Sequence, residues 1–210
     1  MTRRTKFRQK KPKRKKQQGK KPQFNAFTTK HNGRANRITT DIMLSKASEP
    51  TKQPKSSIQT HKTKALWDTG STNSSLTRAT IKTLGLVPVG TTMVTHAGGS
   101  DQSNTHLVNI FLPNKVAIFG VLVTECQNVT GNFGAIIGMD IITQGDFAIT
   151  NVDGFTWASF RIPSKGHIDY VEEANRMIFS GVGRNDPCPC GKKDDRGKPV
   201  KFKHCHGRSS

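Results

Sequence analysis

Two groups of residues in this chain have the types and spacing for chemistry. The first is Asp68-Thr69-Gly70-Ser71, which follows directly on the apolar run Ala65-Leu66-Trp67. A strand that ends this way delivers a carboxylate into a tight turn. Gly70 lets the backbone close around that carboxylate, and Ser71 puts a hydroxyl within reach. A carboxylate held among donors is what general acid–base chemistry uses, although Asp-X-Gly turns also end many strands without any chemistry. The second group is Cys188-Pro189-Cys190, followed after 14 residues by Cys205-His206. Three thiols and an imidazole form a donor set suited to tetrahedral zinc.

The charge along the chain says where a folded body can lie. The 210 residues carry a net charge of +20. Residues 1–37 hold 15 Lys/Arg and no Asp/Glu, residues 38–183 hold 11 of each sign, and residues 184–210 hold 8 Lys/Arg against 3 Asp/Glu. The basicity belongs to the ends, and the neutral middle is the body. Residues 1–37, with Phe7, Phe24 and Phe27 scattered among Lys, Arg, Gln and Asn, are expected to form a disordered arm. Its charge suits nucleic acid or the ribosome. The start has no apolar stretch behind its charges, and no run of about 20 apolar residues occurs, so neither a secretory signal nor a membrane span is expected. Four cysteines do not make a disulfide scaffold. A cytoplasmic, reducing setting is the expectation.

The elements that must position Asp68 read as mainly β. Ile38–Leu44 and Ser57–Trp67 are expected strands, with a loop at Ser45–Ser56 between them. Thr72–Gly85 has apolar residues at helical spacing and a closing glycine. Thr91–Ala97 and Thr105–Leu112 form a hairpin with a glycine-rich tip, and Val116–Glu125 follows as a strand. Ala135-Ile136-Ile137 is an apolar strand that breaks at Gly138 into a short helix. Phe147–Thr150 and Thr156–Ile162 pair around Asp153-Gly154. His167–Phe179 carries Ile168, Val171, Ala174 and Ile178 on one helical face. Asp140 reads as a helix cap, Cys126 as a core residue, and Asp146 as an alternative carboxylate. His96 and His106 read as ordinary loop or strand residues.

Residues 38–163 resemble a bacterial retropepsin-like aspartic protease. The resemblance rests on Leu66-Trp67-Asp68-Thr69-Gly70-Ser71, on the hairpin tip Ala97-Gly98-Gly99, and on Ile136-Ile137-Gly138, whose glycine lies 70 positions after Asp68. It implies an acid-protease fold, a closed β-barrel or sandwich with short helices. It also implies endopeptidase activity on protein or peptide substrates without a catalytic cofactor. The chain has a single Asp-Thr-Gly, so the resemblance implies a homodimer in which each copy contributes Asp68. Thr69 would lock the two loops together, Gly70 would offer its amide to the carboxylate, and Ser71 its hydroxyl. Residues 97–99 would be the tip of a flap, and Ile136-Ile137-Gly138 would pack beside the Asp turn. A monomer would be inert.

Residues 184–210 resemble a SEC-C motif, through Gly183-Arg184-Asn185-Asp186-Pro187 before the first cysteine pair and Lys201-Phe202-Lys203-His204 before the second. The resemblance implies a structural zinc held by Cys188, Cys190, Cys205 and His206, with His204 as the alternative fourth ligand. Asp194–Pro199 reads as an inserted loop, and residues 164–183 as a helical linker. The alternative to a protease is a nucleic-acid- or ribosome-associated binding protein that keeps an inactive protease-like scaffold.

Overall fold

The computed structural model describes residues 25–47, 59–96, 98–114, 116–127 and 131–209. They fall into two compact units, one within Met1–Lys165 and one spanning Gly166–Ser210. The first is mainly β. Its strands are β1 (Asn25–Lys30), β2 (Ile38–Lys46), β3 (Thr60–Trp67), β4 (Ser75–Thr77), β5 (Gly90–His96), β6 (Gly99–Phe111), β7 (Ala117–Cys126), β8 (Ala135–Ile137), β9 (Asp146–Val152) and β10 (Phe155–Ile162). Two short helices, α1 (Arg78–Leu84) and α2 (Met139–Ile142), interrupt them.

Seven strands form one sheet in the order β2-β3-β8-β4-β7-β6-β5. β2 also pairs with β6 through Met43–Lys46, so the pairings run from β2 around to β6 and return to β2. β5 lies outside that circuit and pairs with the first half of β6. A separate three-stranded sheet has the order β1-β10-β9. The alternation in the sequence explains the inward faces. Ile38, Thr40, Ile42 and Leu44 of β2 are buried, while Asp41 and Met43 face outward. The β9–β10 hairpin turns at Asp153 and Gly154, both with positive φ (51° and 80°), as a two-residue turn that matches strand twist requires.

The two sheets meet on aromatic rings. Trp67, the last residue of β3, stacks on Phe147 of β9 at 5.1 Å between ring centroids. Phe160 of β10 and Phe27 of β1 lie 5.0 and 5.8 Å from it. The indole nitrogen of Trp67 donates to the Thr40 hydroxyl at 2.8 Å, which satisfies its one polar atom in the core.

Several expectations change. Residues 25–37 are not part of a disordered arm. Asn25–Lys30 pairs with β10 along its full length, because Phe27 gains the Trp67 and Phe160 rings as partners. The remainder of the arm lies outside the described residues, as does most of the loop expected at Ser45–Ser56. The helix expected over Thr72–Gly85 is confined to Arg78–Leu84. Ser75–Thr77 is drawn into strand β4 between β8 and β7, and all three residues are buried. Thr77 then caps α1 by accepting from the Thr80 amide, and Gly85 ends it in the left-handed region. β6 starts at Gly99 rather than Thr105. Cys126 is half-buried rather than in the core, and partial burial pushes its thiol up.

Asp146 is a tether within this unit. Its carboxylate accepts from the Ser164 hydroxyl, from the Lys165 amide at 2.9 Å and from Arg161 at 2.6 Å. Those donors, Ser164 foremost, lower its pKa to about 2. A carboxylate whose folded value lies below its unfolded value of about 3.9 stabilises the fold above that value. The contribution disappears as the pH falls through about 2. Asp146→Asn is therefore expected to lower the denaturant midpoint at neutral pH, with the gap to wild type closing between about pH 4 and pH 2. A gap that stays constant with pH would show that the tether contributes no linked stability.

Candidate active site and metal centre

β3 runs parallel to β8, with Ala65–Trp67 opposite Ala135–Ile137. The Asp68 amide extends this ladder by donating to the Ile137 carbonyl at 3.0 Å. The turn then closes on the side chain. The Gly70 amide donates to Asp68 Oδ1 at 2.9 Å, and a Cβ on Gly70 would lie 3.2 Å from that oxygen. The Ser71 amide donates to the Asp68 carbonyl at 3.3 Å. Among the described residues the carboxylate is held by the Gly70 amide and not by the Ser71 hydroxyl.

A second set of bonds clamps residues 71–74 onto the stretch after β8. The Met139 and Asp140 amides donate to the Ser71 and Thr72 carbonyls at 2.8 and 3.1 Å. The Gly138 amide donates to Ser74 Oγ at 3.1 Å, and Ser74 Oγ donates to Asp140 Oδ1 at 2.8 Å. Ser74 is 1% exposed. Gly138 admits this approach because a Cβ there would lie 2.6 Å from the Asn73 carbonyl carbon. Asp140 is not the cap expected from the sequence. Gly138 occupies the N-cap position of α2 without a side-chain bond, and the Asp140 carboxylate binds Ser74 and the Ile141 amide.

Beside this turn lies a cleft of about 970 Å³. Gly70–Asn73 form one side, Thr91–Thr95 and Asp101–Asn104 of the β5–β6 hairpin another, and Thr124–Gln127 the end of β7. Asp68 is half-buried next to the cleft and is not among its lining residues. Thr69 is exposed. His96 and Gly99 are the last paired residues of the hairpin, so its tip lies between them. Ala97 itself is outside the described residues, and Gly98 and Gly99 are exposed.

The base of the hairpin has a polar anchor that no sequence pattern revealed. Glu125 of β7 accepts from Arg78 Nε at 2.6 Å through one oxygen and from Asn104 at 3.2 Å through the other. Its backbone carbonyl accepts from the Ser103 hydroxyl. The Arg78 bond, assisted by Asn104, holds the Glu125 carboxyl below the usual carboxylate range against the opposing effect of burial. His106, 1% exposed, lies 3.8 Å from the same carboxylate, and neither of its ring nitrogens has a hydrogen-bond partner. These residues lie too far apart in sequence for spacing to signal them.

In the second unit the donor atoms of Cys188, Cys190, Cys205 and His206 all lie within 4.8 Å of one another. His206, not His204, completes this cluster. His206 Nδ1 is 3.3 Å from Cys188 Sγ and 3.3 Å from Cys205 Sγ, and Cys190 Sγ is 3.6 Å from Cys205 Sγ. The edges of a tetrahedron around zinc would be about 3.5–3.8 Å, so the donors fit the ion. The backbone brings them together. Cys188 donates its amide to Val200 at 2.8 Å, and Asp194 closes the inserted loop by accepting from the Arg196 and Lys198 amides. Burial opposes ionisation of Cys188, but the Cys190 amide and the His206 ring outweigh it and lower its thiol to about 6. Burial, together with the neighbouring sulfurs, pushes Cys205 up. A divalent cation would relieve that crowding of negative charge.

No family model matches the chain. Its C-terminal region is similar to protein translocase subunit SecA of Variovorax paradoxus (strain S110), with 57% identity over 37 residues. It is also similar to SecA of Anaplasma phagocytophilum (strain HZ), with 47% identity over 45 residues. These stretches are 18% and 21% of this chain but 3% and 4% of the SecA proteins, so the chain spans only a small part of those relatives' length and the likeness concerns its C-terminal region alone. Among solved structures, a retropepsin-like aspartic protease from Rickettsia conorii is similar over 67% of this chain and 97% of that chain, with 10% identity and a TM-score of 0.38. At that level the similarity carries no argument about chemistry. No helix among the described residues is long and apolar enough to cross a membrane.

The clamp at Gly138 can be tested directly. Gly138→Ala forces a methyl against the Asn73 backbone and is expected to cost roughly 1–3 kcal/mol of stability, read from denaturant unfolding. An unchanged midpoint would mean that residues 71–74 are not held as described.

Proposed function

We propose that the first unit is an aspartic endopeptidase that works as a homodimer. The observation that carries this reading is the Asp68 turn, bonded to Ile137–Asp140 and set beside a cleft bounded by the β5–β6 hairpin. Amide hydrolysis needs one group to take a proton from water and another to protonate the carbonyl oxygen. Two carboxylates about 3 Å apart share one proton and perform both tasks. The chain has a single Asp-Thr-Gly, so the second carboxylate comes from another copy on a two-fold axis. One Asp68 carboxylate draws a proton from the attacking water. The protonated one hydrogen-bonds the scissile carbonyl and donates its proton to the oxygen as the tetrahedral intermediate forms. Gly70 orients the carboxylate, Thr69 would lock the two turns together, and the β5–β6 hairpin would serve as the flap. In this reading the circuit of pairings from β2 through β6 and back to β2 would correspond to the closed barrel of an acid-protease fold. The second unit, in this reading, is a SEC-C module with a structural zinc, and the setting is the bacterial cytoplasm.

The alternative is a nucleic-acid- or ribosome-associated protein, favoured by the 12 Lys/Arg and no Asp/Glu of residues 1–24. Asp68→Asn should reduce cleavage of an unstructured protein substrate by roughly 10²–10⁴-fold, while leaving dimer formation and nucleic-acid binding intact. Absence of cleavage by verified wild-type dimers across pH 3–8 would overturn the protease reading. Removing residues 1–24, which leaves β1 in place, should abolish nucleic-acid binding and spare proteolysis. Loss of all measurable function on that deletion would favour the alternative.

A further inference from the structure

The segment expected to be a linker belongs to the metal module. Helix α3 (Tyr170–Phe179) follows an N-cap at Asp169, whose carboxylate accepts from the Val171 and Glu172 amides at 2.8 and 2.9 Å. Ten residues are too few to hold a helix in water without tertiary support. None of them is buried, and Val171, Met177 and Ile178 are 71%, 70% and 59% exposed. The Glu172–Arg176 pair is exposed and 3.9 Å long, so it contributes little. The helix has one tertiary anchor in the ring contacts of its unit. Phe179 stacks on His206 at 4.6 Å between centroids, with 26° between the planes, and sits 5.4 Å from Phe202. The Val182 amide donates to the Phe179 carbonyl at 3.2 Å, turning the chain after the helix. Gly207 gives Phe202 its place, since a Cβ there would lie 2.7 Å from the Phe202 ring.

We propose that Phe179 is a positioning residue for the metal centre and that α3 folds only when the metal is bound. The proposal rests on the reading of Cys188, Cys190, Cys205 and His206 as a metal site. The Phe179 ring covers one face of the His206 imidazole and so holds Nδ1 toward the sulfurs. The coupling runs both ways. Metal binding fixes His206, which fixes Phe179, which ends and supports the helix. Loss of the metal frees the ring and leaves α3 with its N-cap alone. An apolar stripe through Val171 and Ile178 is thereby displayed as a helix in the loaded state and lost in the stripped one.

The test uses the full chain, zinc as the probe, and amide hydrogen exchange over Val171–Phe179, with β3 and β8 as an internal reference. Stripping zinc with a chelator is expected to accelerate exchange in α3 and to leave β3 and β8 unchanged. Phe179→Ala should exchange rapidly in α3 with or without zinc and bind zinc roughly tenfold more weakly. Phe179→Trp should restore both properties. Protection of α3 that persists without zinc would overturn the proposal, as would Phe179→Ala with wild-type protection and affinity. If the wild type binds no zinc by elemental analysis, the metal-site reading itself fails and the proposal goes with it.

Discussion

The arrangement of the first unit depends on the clamp between residues 71–74 and residues 138–140. Two backbone carbonyls, one buried hydroxyl and one carboxylate meet three consecutive amides and each other within 2.8–3.1 Å. The loop after a strand end would otherwise be free to wander, and its ordering entropy would have to come from elsewhere. Here the chain 64 to 68 positions on supplies the partners. The turn that carries Asp68 is therefore fixed by backbone bonds, which do not depend on rotamer choice, together with the buried Ser74 hydroxyl and the Asp140 carboxylate. Gly138 is the residue that permits the contact, because any side chain would occupy the space the Asn73 backbone fills.

Around that clamp the two sheets and the hairpin are set by different forces. Trp67 lies next to Asp68 in sequence and at the junction of the sheets in space, so burial of the Phe27, Phe147 and Phe160 rings also fixes the base of the Asp68 turn. The hairpin depends on polar contacts. Glu125 joins Arg78, at the start of α1, to Asn104 and Ser103 on β6. An element held by a few hydrogen bonds at its base, with an exposed glycine-containing tip, is the kind that opens locally at low cost.

The second unit has no apolar core of comparable size, and in this it follows the general behaviour of very small domains. Its order comes from backbone bonds across the inserted loop and from the cysteine–histidine cluster. Cys188 and Cys205 shift in opposite directions because the Cys190 amide and the His206 ring stabilise the Cys188 thiolate, whereas burial, with the neighbouring sulfurs, disfavours that of Cys205. A cation changes that sign. The helix before the module shares the ring system of one of its donors, so two segments that look separate in sequence are in contact.

The amino-acid sequence by itself determined the strand-to-turn delivery of Asp68, the break at Gly138, the β9–β10 turn and the pairing of Cys188-Cys190 with Cys205. Each of these follows from local rules: apolar alternation, glycine where the chain must bend, and soft donors at short spacing. Tertiary structure alone decided the rest. Asn25–Lys30 became a strand because Phe27 found the rings of Trp67 and, more than a hundred residues away, Phe160. Ser75–Thr77 left a helical pattern because β7 and β8 offered hydrogen bonds on both sides. Asp140 bound Ser74 as well as the Ile141 amide of its own helix, His206 rather than His204 joined the sulfurs, and Phe179 joined the cysteine–histidine module. In each case the local signal was weak or divided, and a partner distant in the chain supplied the contacts that settled it.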